Sequence, residues 1–332
     1  MCAAVSSLLD RRYRISQGIA LSHSVRCFAG VHAELDMPVR IYVMPLPADA
    51  ASLPDGGESL LRERVRESLA LRSTSIARVR DCFRAGQQVC VVTEEIDGEP
   101  LARRINRASR LSLRQTLSLG LQLCDALSQI SRTAPSLLST LSITPANVVQ
   151  TPDGDAVLAD LGVERWLEGA SPALTPETLP YLAPEDVMDG RSGLSSHIYG
   201  LAAVMYAALA GEPPAPFSVG RLPVEQLEPL VPHSVSNVLE RALQIDPASR
   251  FSSADEFGEA LGIAIDGLLP LLTHARRTYV EQTGSASQIA TSNTTVSSPL
   301  RAAPTRSHLF ARAISREMHR VLHPATLRQQ QV

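Results

Sequence analysis

The residues whose types could support chemistry lie in five short segments in the second half of the chain. In chain order these segments are Thr144–Asn147, Asp160–Gly162, Tyr181–Glu185, His197–Leu201 and Asp246–Phe251. Asn147 and Asp160 stand thirteen residues apart and offer an amide oxygen and a carboxylate. Hard oxygen ligands of this kind hold divalent metal ions, often together with the phosphates of a nucleotide. The oxygens of Asn147 and Asp160 are therefore candidate ligands for a divalent metal ion.

Two absences limit that chemistry. The chain contains no lysine, so its 31 basic residues are all arginines. The segment from Ala126 to Pro152 contains no aspartate, glutamate or histidine, which are the side chains that most often act as general bases. No mechanism that requires a lysine, or a general base from this segment, is open to the chain.

The elements that must position these residues form a β-rich part followed by a helical part. Period-two and turn patterns predict strands at Arg12–Ser16, Ser24–Ala29, Val39–Val43, Ala77–Phe83 and Gln88–Thr93, with an amphipathic helix at Leu60–Leu71. Beyond Gly98, helical spacing predicts helices at Leu113–Ile130, Ser195–Ala210, Val235–Leu243 and Ser253–Leu261. A small β-rich part followed by a larger helical part predicts an α+β fold with two lobes.

The composition favours a soluble, cytoplasmic protein. A formal charge of -3 gives no indication of a nucleic-acid partner. The five cysteines are an odd, scattered set without a Cys-x-x-Cys pair, which favours a reducing compartment over a disulfide framework or a zinc site. Met1–Asp10 lacks the pattern of a signal peptide, and apolar runs such as Leu201–Ala210 are too short to span a membrane.

The five segments, in their order and spacing, resemble the Ser/Thr protein-kinase family, especially its bacterial branch. Thr144–Asn147 resembles the Lys-Pro-x-Asn end of the catalytic loop, and Asp160–Gly162 resembles the Asp-Phe-Gly motif. Tyr181–Glu185 is similar to the end of the activation segment. The resemblance covers roughly residues 13 to 262 and implies a kinase-like fold with a small β-rich N-lobe, a larger helical C-lobe and a flexible C-terminal tail.

The resemblance also implies a domain organisation. The predicted units are a leader (1–12), the N-lobe (13–96), the C-lobe (97–280), a Ser/Thr-rich linker (281–305) and a basic amphipathic helix with a tail (306–332). The linker prediction depends on Gln282–Leu300, which has no charged residue. In the last unit, Ser307–Leu322 has apolar residues at helical spacing with arginines around them. Its modest basic face favours packing on a partner or on the domain over binding to a membrane surface.

The family's nucleotide pocket is only partly retained. The resemblance implies a vestigial pocket formed by Gly18, Val25, Thr93, Ile96 and Val149. In the glycine-rich loop, Ala20 and His23 replace the second and third glycines, which normally let backbone N–H groups approach the phosphates.

The phosphate-binding lysine is also replaced. Val39–Tyr42 corresponds to the family's Val-Ala-Ile-Lys strand, so Tyr42 stands in place of the lysine and Arg40 in place of the small residue above the adenine. The helix glutamate that would hold the lysine falls at or near Arg64, next to Glu63. The resemblance therefore implies that the charge of the phosphates has no lysine to neutralise it.

The catalytic loop lacks its general base. Thr140–Ser142 occupies the place of the family's His-Arg-Asp, so Ser142 replaces the aspartate, and Thr144 replaces the loop lysine. We therefore assign no catalytic residue. The resemblance matches Asn147 and Asp160 to the pair that binds Mg²⁺; they could still hold weakly bound ATP with Mg²⁺ or Mn²⁺, or persist for local structure alone.

The residues that stabilise the C-lobe are better retained. The resemblance implies that Glu185 and Arg250 form a buried ion pair that braces the activation segment. His197 replaces an aspartate that usually anchors the catalytic loop, so we expect that loop to be held differently.

Two hypotheses remain. The first is a pseudokinase, a non-catalytic regulatory or scaffolding module that binds other proteins in signalling and requires no cofactor. The second is an atypical Ser/Thr kinase, or another ATP-dependent transferase, that uses Asn147, Asp160 and a metal ion.

Overall fold

The N-lobe is an antiparallel sheet with one helix against it. The computed structural model describes residues 8–21, 25–45, 58–108, 110–166, 174–190, 192–216, 224 and 231–267. The strands of this sheet are β1 (Leu8–Leu9), β2 (Tyr13–Leu21), β3 (Arg26–His32), β4 (Pro38–Pro45), β5 (Val79–Ala85) and β6 (Gln88–Glu94). They pair in the order β1-β2-β3-β4-β6-β5. Helix α1 (Glu58–Ala70) connects β4 to β5.

Strand β4 is buried on both faces, which explains its nearly continuous apolar sequence. Val39, Ile41 and Val43 pack in a small cluster within the N-lobe. Tyr42 and Met44 point the other way and join the large core that continues into the C-lobe. Because side chains alternate along a strand, this register fixes Tyr42 on the face toward the C-lobe.

Side-chain contacts bring β2 close to β5, although three strands separate them in the sheet. The Tyr13 hydroxyl donates to Asp81 at 2.9 Å, and the Tyr13 ring stacks on Phe83 with 5.8 Å between ring centroids. Arg12 forms an ion pair with Asp81 at 2.6 Å. The N-lobe sheet is therefore curled around its small cluster.

The C-lobe is built on a buried central helix. Its helices are α2 (Leu101–Ala108), α3 (Leu113–Thr133), α4 (Pro184–Asp189), α5 (Leu194–Ala210), α6 (His233–Ala242) and α7 (Ala254–Asp266). A second sheet contains β7 (Glu99–Pro100), β8 (Val148–Gln150) and β9 (Ala156–Leu158). Helix α5 is buried on all sides from Ser196 to Ala210, as expected for a helix that is apolar all round. None of the described helices is both long and apolar enough to cross a membrane.

The structure has the predicted kinase-like two-lobe α+β fold, with additional short elements. Each of the strands and helices predicted between residues 12 and 261 is present within a few residues of its predicted bounds. Strand β1 lies inside the predicted leader, where it pairs with β2. The linker (281–305), the terminal unit (306–332) and His23 lie outside the described residues.

Arg250 connects three parts of the C-lobe through its guanidinium. It forms a bidentate ion pair with Glu185, with N–O distances of 2.6 and 2.8 Å, and its side chain is fully buried. The same group donates to the carbonyl oxygens of Gln244 (2.8 Å), Ile245 (3.0 Å) and Ser195 (3.1 Å). The start of α4 is thereby fixed to the start of α5 and to the segment before Arg250.

We predict that Arg250→Ala lowers the free energy of unfolding by about 3–5 kcal/mol, because it leaves the Glu185 carboxylate without its buried partner. Urea unfolding followed by circular dichroism measures the change. Arg107→Ala is the matched control: Arg107 pairs with Glu99 on an exposed surface, and such pairs contribute about 1 kcal/mol or less. Equal losses in both variants would contradict the bracing role of Arg250.

Candidate functional site

Asn147 and Asp160 lie side by side at neighbouring ends of β8 and β9. The Ala159 N–H donates to the Asn147 carbonyl at 2.8 Å, which extends the β8–β9 ladder to this point. One carboxylate oxygen of Asp160 accepts the backbone N–H groups of Gly162 (2.8 Å) and Val163 (3.3 Å). These two hydrogen bonds, from the turn that follows Asp160, fix the orientation of its carboxylate.

Gly162 is required by this turn. Its φ is +70°, and an added Cβ would collide with the carbonyl oxygen of Thr140. The sequence Asp160–Gly162 therefore forms a tight turn packed directly against the segment that occupies the place of the catalytic loop.

The side chain of Asn147 also binds that segment. Its amide nitrogen donates to the carbonyl oxygen of Ser142 at 3.0 Å. Ser142, which stands in place of the general base, is buried. The described bonds use the amide nitrogen of Asn147 and one carboxylate oxygen of Asp160, so an oxygen of each side chain remains for a metal ion.

Tyr42 brings a neutral hydroxyl, in place of a cation, toward this pair. Only 4% of Tyr42 is exposed. Burial raises the pKa of Tyr42 well above its ordinary value, and the negative charge of Asp160 raises it further, while nearby Arg40 opposes the shift. The phenol therefore stays protonated at neutral pH and cannot neutralise phosphate charge.

Arg40 and Glu95 form a bidentate ion pair across the place of the adenine ring. The two N–O distances are 3.0 and 2.8 Å. Arg40 lies opposite Thr93 in the β4–β6 register. Its ion pair with Glu95 therefore connects β4 to the segment just after β6. A charged pair in this position competes with the flat, apolar ring that the family binds there.

The remaining pocket residues are mostly buried. Val25, Thr93 and Val149 belong to the interior, and Ile96 is half-buried. Gly18 is part of strand β2, opposite Phe28 of β3. The Thr93 hydroxyl is buried and has no hydrogen-bond partner among the described residues.

Arg64 attaches α1 to the segment that follows Asp160–Gly162, a contact that the sequence did not reveal. Its guanidinium donates to the carbonyl oxygens of Trp166 and Arg165, and to the Ser139 hydroxyl at 3.0 Å. Only 3% of Arg64 is exposed, and burial lowers its pKa. Arg64 therefore holds α1 in place without the family's lysine–glutamate pair.

Arg165 is a second arginine that hydrogen-bonds to a buried backbone carbonyl. Its Nε donates to the Thr140 carbonyl at 2.8 Å, and a terminal nitrogen donates to the same oxygen. Burial, together with the charge of Asp160, raises the pKa of neighbouring Glu164. Arg165 thus satisfies the buried carbonyl oxygen of Thr140, the residue that stands in place of the family's histidine.

His197 binds the start of the segment that takes the place of the catalytic loop. Its Nε2 donates to the Leu138 carbonyl at 2.7 Å, so this nitrogen carries the proton. Burial lowers the pKa of His197, although the Leu138 bond and the charge of Asp186 oppose the shift. The neutral imidazole replaces the family's aspartate by donating a hydrogen bond to the loop.

Taken together, these residues fit a divalent cation but do not fit ATP held as in the family. Asn147 and Asp160 retain free ligand oxygens. The Arg40–Glu95 pair lies where the resemblance places the adenine ring, and the neutral hydroxyl of Tyr42 stands where it places the phosphate-binding lysine.

The fold and the arrangement of this site define a two-lobed protein of the kinase type. The family description "Protein kinase domain" matches residues 49–259. The chain therefore belongs to the protein kinase domain family.

Curated relatives are bacterial Ser/Thr kinases. The chain is 28% identical over 286 residues to the serine/threonine-protein kinase PknA of Mycobacterium tuberculosis, which covers 81% of this chain and 65% of PknA. It is 26% identical over 272 residues to PknL of the same species, which covers 79% of this chain and 66% of PknL. The chain thus spans slightly less than two thirds of the length of these relatives.

Solved structures show the same fold. The PknI kinase domain of M. tuberculosis superposes with a TM-score of 0.60 at 23% identity, over 79% of this chain and all of that domain. The structure titled "PpkA-294 apo form" superposes with a TM-score of 0.59 at 16% identity, over 75% of this chain and 96% of that one.

The His197 contact predicts a pH-dependent stability. Because the folded-state pKa lies below the ordinary value of 6.5, the unfolded chain takes up a proton first as the pH falls. The free energy of unfolding should therefore decrease below about pH 6.5, by at most about 1.4 kcal/mol per pH unit. Chemical denaturation between pH 5 and 8 measures this slope. His197→Gln keeps an N–H donor without titrating and should remove the slope; an unchanged slope would show that another group causes it.

Proposed function

We propose that this protein is a pseudokinase that acts as a regulatory or scaffolding module in the cytoplasm by binding other proteins. The observation that carries the proposal is the pair of substitutions on β4. Tyr42 replaces the phosphate-binding cation with a neutral phenol, and Arg40 forms an ion pair with Glu95 across the adenine site. A kinase fold that keeps its internal contacts but lacks these nucleotide-binding groups can still bind other proteins through its surface.

The expected loss of rate supports the proposal. A positioned general base contributes typically about 10²–10⁴-fold, and Ala126–Pro152 offers none. The missing lysine removes a further charge from the transition state, where electrostatic stabilisation is often the largest contribution. Starting from the roughly 1–100 s⁻¹ of protein kinases, these losses leave a rate near background.

The second candidate is an atypical Ser/Thr kinase or another ATP-dependent transferase. The position of Asn147 beside Asp160, with an oxygen of each available to a metal ion, favours it. Such an enzyme would need its general base from outside the Ala126–Pro152 segment.

A transfer assay separates the two candidates. We expect the purified protein, incubated with labelled ATP, Mg²⁺ or Mn²⁺ and generic protein acceptors, to transfer no phosphate above a protein-free control. The reason is that both the base and the lysine are missing. Clear transfer that disappears in Asp160→Ala would establish the atypical enzyme and overturn the pseudokinase proposal.

Nucleotide binding gives an independent prediction. A ligand that binds only the folded state raises the melting temperature in a saturable manner, and we expect ATP with Mg²⁺ or Mn²⁺ to give no such rise. The double variant Arg40→Ala/Tyr42→Lys restores the family's residue types and should gain a saturable rise. Saturable stabilisation of the wild type that is lost in Asn147→Ala would show that the native pocket holds a nucleotide.

A further inference from the structure

Helices α3 and α7 form a surface groove that the kinase-like site does not use. Its volume is about 680 Å³. The buried residues that line it are small or apolar, among them Leu121 and Cys124 of α3. On α7, a Cβ added to Gly258 would lie only 3.3 Å from the Cys124 Cβ. The glycine therefore allows the two helices to approach closely and leaves a shallow apolar trough between them.

An exposed apolar side chain stands at the edge of this trough. Ile263 is 73% exposed, although it lies on a helix whose neighbouring turns are packed in the core. A β-branched residue left this open beside an apolar groove enlarges the surface that a partner could cover.

The rim of the groove is acidic. Four carboxylates line it: Asp125, Asp255, Glu259 and Asp266. Asp255 accepts the Ser128 hydroxyl at 2.7 Å and lies 3.5 Å from Arg132. The rim therefore brings four carboxylates together around an apolar surface, so the groove favours an occupant that is apolar on one side and positively charged.

We propose that this groove binds the chain's own segment 306–322, which lies outside the described residues. The sequence of that segment predicts a helix with Phe310, Ile314, Met318 and Leu322 on one face. It also contains four arginines and a single glutamate, Glu317. An apolar stripe with a net positive charge is the complement of an apolar trough with an acidic rim.

The helical period specifies which arginines meet the rim. At 3.6 residues per turn, Arg306 lies about 40° from Phe310, at one edge of the apolar stripe, and its long side chain can extend toward carboxylates on the groove walls. Arg316 falls on the opposite side of the helix, away from the groove. The proposal therefore predicts different surroundings for Arg306 and Arg316.

The connection is long enough. Helix α7 ends at Asp266, itself a rim residue, and residues 267–305 connect it to the segment. A flexible chain of 39 residues would have a root-mean-square end-to-end distance of roughly 35 Å. A tether of this kind gives an effective concentration on the order of millimolar, so even a modest intrinsic affinity keeps the groove occupied within one chain.

The absence of lysine makes a specific cross-linking test possible. Carbodiimide couples a lysine amine to a carboxylate that it contacts, and the native chain has no lysine. In the full-length protein, Arg306→Lys introduces one side-chain amine. After treatment, peptide mapping of the monomer should locate the cross-link at one of the four rim carboxylates. Arg316→Lys, with its amine on the other side of the helix, is the matched control and should give several-fold less of it.

Three results would overturn the proposal. They are equal cross-linking in Arg316→Lys, cross-links to carboxylates elsewhere, and cross-links that join two chains, since the last would assign the groove to a second copy. A second measurement does not depend on an introduced lysine: hydrogen exchange of peptides from 306–322 in the full-length protein. Ile263→Ser should speed that exchange, whereas Leu35→Ser, which removes an apolar residue that is 63% exposed on the N-lobe, should not. Equal exchange in both variants would show that Ile263 does not contact the segment.

Discussion

The structure depends on satisfying backbone carbonyl groups that are buried in irregular segments between the regular elements. A buried carbonyl without a donor costs free energy comparable to a lost hydrogen bond. Arg250, Arg165 and Arg64 supply these donors. Arg250 and Arg64 each bind more than one carbonyl oxygen, and Arg165 binds the Thr140 carbonyl oxygen through two of its nitrogens. A guanidinium carries five N–H groups in a fixed plane, whereas an ammonium is a compact point charge. A chain without lysine is therefore well supplied with the group that this task requires.

This use of arginine separates the architecture of the protein from kinase chemistry. In the kinase family, a lysine and a helix glutamate connect the helix that corresponds to α1 to the nucleotide. Here α1 is attached through Arg64 directly to the backbone after Asp160–Gly162. His197 similarly holds the catalytic-loop segment through the Leu138 carbonyl. Both connections are made between residues of the chain itself.

The sequence predicted the long elements well because each has many residues with a clear period. It missed β7, β8, β9, α2 and α4, which are short and are stabilised by tertiary contacts more than by local pattern. The motif order also led to the family correctly. These successes share one cause, namely that the signal in each case lies within a few neighbouring residues.

The contacts inside the site were not predictable in the same way. Arg40 and Glu95 are 55 residues apart in the chain, and nothing local to either residue indicates that they meet. Arg64 falls at or near the place of the family's helix glutamate, and it reaches residues about a hundred positions away. For both arginines the partner is brought close by the fold and is not indicated by neighbouring residues in the chain.

The side-chain contacts between β2 and β5 restrict how partners can bind the N-lobe. An open strand edge offers unpaired backbone groups to which an incoming peptide can add as a further strand. At β5, the Asp81 side chain binds Arg12 and Tyr13 across the curled sheet, and in the part of the chain that the structure describes β1 at the opposite edge has two residues. A peptide that added to β5 would therefore meet these side chains beside the backbone groups of the edge strand.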